Sequence, residues 1–279
     1  MTATAAPPRR VSPGRSATGR ALDWVRDHLV VFAGALALLY LFLPVLVVFV
    51  FSFNDPAGRF NFAWRAFSLD AWRDPCGAPG MCDSLVVSLQ IGFLATAGAT
   101  LLGTLLAFAL VRYRFRGRSA TNLLIFLPMA TPEVVMGSSL LALFVQGGVD
   151  RGFWTIFIAH VLFCLSFVVV TVKARLQGLD PRLEQAAMDL YANEWQTFRL
   201  VTLPLVLPGI LAAALLSFSL SFDDFIITNF NSGSTVTFPM YVFGANQRGV
   251  PPQINVIGSI MFLAALGIAL AAQYRRKKY

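Results

Sequence analysis

This sequence contains unusually few charged residues. Only 13% of its 279 residues are Asp, Glu, Lys or Arg, whereas 57% are hydrophobic and the mean hydropathy is +0.67. A soluble domain carries about 25% charged residues. One globular core cannot hold so many apolar side chains, so part of the solvent of this chain must be lipid. The composition excludes a soluble enzyme or binding domain and predicts an integral membrane protein.

Lysine is nearly absent, and this excludes one way of binding ATP. The only lysines are Lys173, Lys277 and Lys278, and none of them precedes Ser or Thr, so the chain has no phosphate-binding loop of the Gly-x-x-x-x-Gly-Lys-Ser/Thr kind. If the chain takes part in active transport, a separate subunit must supply the hydrolysis of ATP.

Histidine and cysteine are also few. Two His and three scattered Cys predict no metal site and no cofactor, and no nucleophile–base cluster points to an enzyme. Cys76 and Cys82 share a loop, where both a disulfide and a reduced pair are open. Cys164 is interpreted as inert packing, and His160 as a packed, hydrogen-bonded side chain.

Six long apolar stretches fill most of the chain. Each is close to the roughly 20 residues that a helix needs to cross a bilayer, and no period-two alternation indicates a barrel. The predicted fold class is all-α integral membrane with six transmembrane helices, after a disordered tail over residues 1–27 and within a transmembrane domain over residues 28–279. The stretches are residues 28–53, 84–111, 120–146, 152–172, 207–228 and 254–273.

The 22 Lys and Arg indicate topology rather than a nucleic-acid partner. They concentrate in the tail and in alternate loops, which is the positive-inside pattern. It predicts a multi-pass protein of the plasma (cytoplasmic) membrane with both termini in the cytoplasm. The clusters are Arg9, Arg10, Arg15, Arg20 and Arg26; Arg112, Arg114, Arg116 and Arg118; Lys173, Arg175, Arg182 and Arg199; and Arg275, Arg276, Lys277 and Lys278.

Two of the stretches carry packing signals. Ala95, Ala99, Gly103 and Ala107 recur at four-residue spacing in the second stretch, which predicts a face buried against another span. In the third stretch, Thr131-Pro132-Glu133 reads as the break and first turn of a restarted helix. We expect this to be the one broken helix of the chain.

The segment between the fourth and fifth stretches, residues 173–206, is predicted to lie in the cytoplasm and is called here the coupling segment. A short helix is expected to start near Pro181, and a second short helix is expected to stop at Pro204. On physical grounds alone, an amphipathic loop lying on the bilayer surface stays open as an alternative.

The coupling segment resembles the EAA loop of ABC importer permeases, which in that family docks on the ATPase subunit. Gln185 stands where the family usually has Glu, and Tyr191 where it usually has Gly. Tyr resists the left-handed conformation that Gly adopts, so the turn is expected to differ here. The residues assigned to ATPase coupling are Gln185, Ala186, Ala187, Asp189, Tyr191, Ala192, Leu203 and Pro204.

Other segments are similar to polyamine (spermidine/putrescine) permeases of the PotC type. These are Ser52-Phe53-Asn54, Phe67-Ser68-Leu69 and the run from Ser217 to Phe225. The resemblance implies a type I ABC importer (MetI-like) fold without a cofactor. It also implies four partners: an ABC ATPase, a homologous second permease, an extracytoplasmic binding protein, and the lipid bilayer. The binding protein is expected to dock on the two loops predicted to face outward, residues 54–83 and 229–253.

Three acidic residues fall within apolar stretches, where a carboxylate costs at least about 2.5–3.5 kcal/mol. On one continuous helix, Ser217, Ser221, Asp224 and Thr228 would share a face lining a cavity, with Phe side chains on another face. Local satisfaction by hydroxyls, or helix-dipole compensation at Glu133, stays open as an alternative. The predicted substrate pathway is Glu133, Asp223, Asp224, Ser217, Ser221 and Thr228.

Three other functions compete with polyamine import. A permease for ferric iron, thiamine or another cationic nutrient keeps the class and changes the cargo. An ion-driven secondary transporter would require paired broken helices, and the sequence predicts only one. A membrane-embedded enzyme would require a catalytic cluster.

Overall fold

A computed structural model describes residues 17–276, and every regular element in that range is helical. This confirms the all-α prediction. The helices are α1 Ala17–Phe51, α2 Asp70–Arg73, α3 Met81–Arg112, α4 Arg118–Ala130, α5 Glu133–Gln146, α6 Phe153–Gln177, α7 Arg182–Asp189, α8 Glu194–Thr197, α9 Leu203–Asp223, α10 Ile226–Asn231, α11 Phe238–Arg248 and α12 Pro252–Arg276, with a π-helical turn Phe198–Thr202 between α8 and α9.

Four of these helical segments are long and apolar enough to cross a membrane, and the α4/α5 pair makes a fifth if it counts as one span. The pair is bent by 109° at the Thr131-Pro132 break, which was predicted from the proline. In α12 the apolar part, Pro252–Ile268, is shorter. This arrangement is compatible with the six predicted spans.

The predicted tail needs a correction. α1 begins at Ala17, so residues 17–27 are helical and not disordered. This part of the chain has no proline and carries apolar residues, so the helix of the first span can extend through it. The rest of the tail, and the last basic cluster at Lys277 and Lys278, lie outside the described residues.

The core is built from α3, α6 and α9. Ala95, Ala99 and Ala107 of α3 are fully buried, which confirms that the small-residue face packs against a neighbour. That neighbour is α6. A Cβ added to Gly103 of α3 would lie 2.6 Å from Cγ1 of Val168 in α6. The absence of a side chain at this position therefore sets how closely the two helices approach.

The segment between α1 and α3 is folded around Asn54. Its side-chain amide donates to Asn61 Oδ1 at 2.6 Å and to the Ala63 carbonyl at 2.8 Å, and its Oδ1 accepts from Arg65 N at 2.8 Å. A disulfide joins Cys76 and Cys82 just before and within the first turn of α3. Of the two states left open for this pair, the structure has the bonded one.

Candidate functional site: the coupling segment and the carboxylates at the helix breaks

Helix α7 lies on the surface at the end of the bundle where α3 ends. It buries none of its residues, and Gln185, Ala186 and Asp189 are exposed, while Ala187 is half-buried. A helix of this length has no stability of its own in water, so its position must come from its ends and from contacts with the bundle.

The end of α7 is a Schellman turn. The Ala192 amide donates to the Ala187 carbonyl at 3.1 Å, and the Tyr191 amide donates to the Met188 carbonyl at 3.0 Å. Tyr191 itself has φ 64°, the left-handed conformation that Gly usually supplies in this turn. The expectation that the turn would differ is therefore wrong: the backbone keeps its shape, and a Tyr is held in it.

After this turn, Asn193 starts α8 with a reciprocal cap. Its Oδ1 accepts from Gln196 N at 2.8 Å, and Gln196 Oε1 accepts from Asn193 N at 2.9 Å. Two of the free amides at the helix start are satisfied in this way, which fixes the direction in which the chain returns to the bundle.

The second short helix does not stop at Pro204, contrary to the prediction. The chain is helical from Glu194 to Asp223 through the π-helical turn, in which Leu203 N bonds to the Phe198 carbonyl five residues earlier. The wider turn relieves the clash between a proline ring and the preceding turn, so Pro204 is accommodated at the start of α9. Leu203 is half-buried and Pro204 exposed.

The residue that anchors the coupling helix is Glu184, which was not singled out in the sequence. Its carboxylate is ion-paired with both terminal nitrogens of Arg112 at the end of α3, and it accepts from Thr202 Oγ1 at 2.6 Å. The Arg112 hydrogen bonds hold the pKa of Glu184 below its usual range. The sequence did contain a signal for this ion pair: an acidic residue near Ala186 and Ala187, and a cluster of arginines where the second apolar stretch ends.

A second polar group lies inside the bundle, where α6 meets the end of α9. The ring of His160 is hydrogen-bonded through Nδ1 to Ser221 Oγ at 2.7 Å and through Nε2 to Thr228 Oγ1 at 2.9 Å. Asp224 Oδ2 lies 3.3 Å from the same Nε2, and all four side chains are buried. His160 is thus a packed, hydrogen-bonded histidine.

The predicted polar helix face is therefore corrected. α9 ends at Asp223, Asp224 has extended backbone, and α10 restarts the helix. The Asp224 carboxylate causes this break: it accepts from the Thr228 amide at 2.8 Å and from the Ile227 amide at 3.4 Å, and so satisfies the start of α10. The hydroxyl groups face His160 across a packed helix contact instead of lining a cavity; Ser217 is buried in the same region.

Besides the predicted broken span α4/α5, the described helices are interrupted at a second place, between α9 and α10. At the first break Glu133 begins α5, and at the second Asp223 ends α9; both carboxylates are exposed. The helices that start at the two breaks pack together. An added Cβ on Gly137 would lie 2.8 Å from Phe230, and Asn231 Nδ2 donates to the Gly137 carbonyl at 3.4 Å.

The predicted site residues therefore separate into three groups. The coupling residues lie together at one end of the bundle. Ser221, Asp224 and Thr228 lie together with His160 in the interior, while Asp223 and Glu133 face outward at the breaks. Within residues 17–276, no group of three His, Cys, Asp or Glu side chains could hold a metal ion.

The fold and the coupling segment define the class of this protein: a helical membrane permease that has no ATP-binding loop of its own and carries on its surface a short helix with no buried residue. Residues 99–275 match the family described as "Binding-protein-dependent transport system inner membrane component", and the chain belongs to that family. It is therefore a multi-pass inner-membrane permease subunit of an ABC transporter and not an enzyme.

Two relatives and one solved structure show how similar this chain is to known permeases and over what length. The chain is 38% identical over 240 residues to the spermidine/putrescine transport system permease protein PotC of Haemophilus influenzae, covering 86% of this chain and 93% of that protein. It is 38% identical over 237 residues to the putrescine transport system permease protein PotI of Escherichia coli (strain K12), covering 82% and 83%. A bacterial alginate ABC transporter with bound periplasmic protein aligns with TM-score 0.67 at 16% identity, over 92% of this chain and 96% of that chain, and shows the MetI-like fold.

Proposed function

We propose that this chain is the transmembrane permease subunit of an ATP-driven importer of polyamines, spermidine or putrescine. The cargo follows from the names of the relatives at 38% identity. The observation that carries the transport mechanism is the geometry of α7, a surface helix with no buried residue that is tied to the bundle through Glu184.

The partner at α7 is the ATPase subunit. The exposed side chains of Gln185, Ala186 and Asp189 face away from the bundle, and small residues such as Ala let a helix seat deeply in a groove. Closure of the ATPases pushes on α7, and the Glu184–Arg112 ion pair passes that displacement to α3. The permease alternates in this way between inward-facing and outward-facing states.

A homologous second permease completes the passage. In the single chain, α1 has exposed apolar side chains along its length and contacts α12 through Phe42 and Phe262, whose rings are 6.3 Å apart. A partner subunit covers part of this apolar surface, and lipid covers the rest. The passage then runs between the two subunits, where the exposed carboxylates lie.

Asp223 and Glu133 carry the cationic cargo along this passage. A polyamine brings two or more positive charges into a region of low dielectric, and one carboxylate 4 Å from an ammonium attracts it by about 4 kcal/mol at an effective dielectric near 20. Asp224, Ser217, Ser221 and Thr228, although predicted to line the pathway, are buried within one subunit. Their part is to hold the break that presents Asp223.

Both termini lie in the cytoplasm, and the Cys76–Cys82 side faces the exterior. Among the described residues, Arg112 ends α3, whereas Cys82 of this disulfide lies in the first turn of the same helix, at the opposite end of the span. Disulfides persist in the oxidising space outside the cytoplasmic membrane and are rare inside. The binding protein delivers cargo on that side.

Uptake and copurification test the proposal together. The affinity-tagged chain is purified from its own host, and cells with and without the gene are given labelled putrescine and spermidine. We expect an ABC ATPase to copurify, and gene-dependent uptake of at least one polyamine. A bound ATPase with gene-dependent uptake of iron or thiamine instead would refute the cargo and keep the permease; absence of an ATPase would refute the importer.

A variant at the coupling helix makes the same test site-specific. Ala186→Trp places a large side chain where the partner groove must fit, and overpacking of this kind costs about 1–3 kcal/mol. We expect normal membrane insertion, loss of uptake and a weaker hold on the ATPase. Ala120→Trp, at an exposed alanine near the start of α4 at the same end of the bundle, is the matched control.

A further inference from the structure

A cavity of about 540 Å³ opens between the two outward loops. One wall comes from the segment between α1 and α3, including Arg59 and the residues beside the disulfide; the other comes from the end of α11 and the turn into α12, including Arg248. The cavity belongs neither to the coupling segment nor to the carboxylates at the breaks.

The two loops are held together by backbone contacts. The Asn61 amide donates to the Val250 carbonyl at 3.2 Å. Gly249 has φ 141°, and an added Cβ there would lie 2.8 Å from both Cβ and the carbonyl oxygen of Arg59. Only Gly allows this conformation and this close approach. The backbone contact therefore keeps Arg59 and its neighbour in the other loop, Arg248, on the walls of the same cavity.

The charge of the cavity is uncompensated. Arg59 and Arg248 are exposed, and within residues 17–276 neither guanidinium makes an ion pair or a hydrogen bond. Two other arginines of the same loop are paired: Arg65 with Asp55 at 3.6 Å and Arg73 with Asp70 at 3.4 Å. None of the residues lining the cavity is acidic.

The sign of this charge decides what the cavity can accept. A polyamine is cationic, and two guanidinium groups repel it, so the cavity is not a place where cargo waits. A guanidinium binds a carboxylate with two parallel hydrogen bonds, and a pair of them fits acidic side chains on a protein surface. The open shape suits a protruding loop better than a buried small molecule.

We propose that the cavity receives acidic side chains of the extracytoplasmic binding protein, and that Arg59 and Arg248 set the affinity and register of that docking. This rests on the proposed function, because it assumes a binding protein that delivers cargo on this side. The same two charges repel a polyamine released from the docked protein and favour its movement toward the carboxylates of the passage.

The test uses the whole permease–ATPase complex in nanodiscs and the binding protein isolated from the same cells on immobilised spermidine. ATP hydrolysis is measured against the concentration of that protein. We expect Arg59→Glu/Arg248→Glu to raise the half-stimulating concentration at least tenfold, and to remove the weakening that added salt causes in the wild type. The matched controls, Arg65→Glu and Arg73→Glu, should stay within about twofold of wild type.

Four results overturn the proposal, and the last of them refutes the proposed function too. The double variant could respond like the wild type, which leaves importer function intact and removes the role of the cavity. The controls could lose affinity equally, which would mean that the charge of the whole face matters and the cavity does not. The variant could instead lose binding to vesicles containing anionic phosphatidylglycerol while keeping the binding protein, which would assign the cavity to lipid. A wild-type complex that no binding protein stimulates would refute the proposed function as well.

Discussion

Glu184 in the first turn of α7 is ion-paired with Arg112, the last residue of α3, across a sequence separation of 72 residues. The Glu184 side chain is only 14% exposed, so this pair is shielded more than most surface ion pairs. It joins α7, the proposed contact for the ATPase, to a helix at the centre of the bundle. Its loss should affect stability and coupling together.

The pH dependence of stability measures this pair. Because Arg112 lowers the pKa of folded Glu184, the carboxylate stabilises the folded protein above the unfolded pKa, near 4.3, and this stabilisation is lost as pH falls through the lower folded value. We expect Glu184→Gln to lower the melting temperature at pH 7, and the difference from the wild type to shrink as the pH is lowered toward 3. Asp189→Asn, at an exposed carboxylate of the same helix, is the control. An equal difference at both pH values would contradict the assignment.

Replacing Tyr191 by Gly is expected to stabilise the folded protein. A non-glycine residue in the left-handed conformation costs roughly 1–2 kcal/mol, so Tyr191→Gly should raise the free energy of unfolding by about 1 kcal/mol despite the flexibility that Gly adds to the unfolded chain. Thermal unfolding of the purified protein in detergent measures this. Leu190→Gly, beside it at φ −87°, relieves no strain and should be neutral or destabilising. A lower melting temperature for Tyr191→Gly would count against the strain.

Adding a side chain at Gly103 is expected to lower the stability of the folded protein. A methyl group there would meet Val168, so Gly103→Ala should destabilise the α3–α6 contact by about 1–3 kcal/mol. Val168→Ala removes the nearest obstructing atom, Cγ1, but keeps Cβ at 2.8 Å, so it should restore only part of the loss in the double variant. Gly34→Ala in α1, where an added Cβ meets nothing within 4 Å, is the control. Additive effects of the two core substitutions would show that they do not meet.

The neighbouring acids Asp223 and Asp224 predict opposite phenotypes. Asp223→Asn changes an exposed side chain and should leave the folded yield unchanged while polyamine uptake falls at least tenfold. Asp224→Ala leaves the Thr228 and Ile227 amides without their carboxylate acceptor, at about 1–3 kcal/mol for each unsatisfied group, and should lower the yield of folded protein. Glu133→Gln should resemble Asp223→Asn. Wild-type uptake by both Asp223→Asn and Glu133→Gln would refute the carboxylate pathway.

The cysteines predict the result of a topology experiment. An impermeant maleimide added to intact spheroplasts should label the chain only after an impermeant reductant has opened Cys76–Cys82. Buried Cys164 should stay unlabelled in both samples. A Cys76→Ser/Cys82→Ser variant provides the background. Labelling that requires lysis of the spheroplasts would reverse the proposed orientation.

How much of this architecture the sequence predicts depends on the kind of signal. The apolar runs, the small-residue face of α3 and the Pro132 break were predicted correctly, because each depends on local composition. The second break was missed, because no Gly or Pro marks it: Asp224 ends one helix by capping the next, and its burial beside His160 depends on a helix 61 to 68 residues earlier. Glu184 was missed for the same reason, since its partner lies in another span.

The π-helical turn at Phe198–Thr202 determines which way the coupling helix faces. Such a turn holds one residue more than an α-helical turn, and each residue of an α-helix advances by roughly 100° around the axis. Forcing the same residues into α geometry would swing everything on its N-terminal side, including α7 and the Tyr191 turn, by about that angle relative to α9, whereas deleting one of them would restore α geometry with little rotation because the turn already absorbs the extra residue. The direction in which the proposed docking surface of α7 faces thus depends on one extra residue in this turn, which itself makes no contact with the partner.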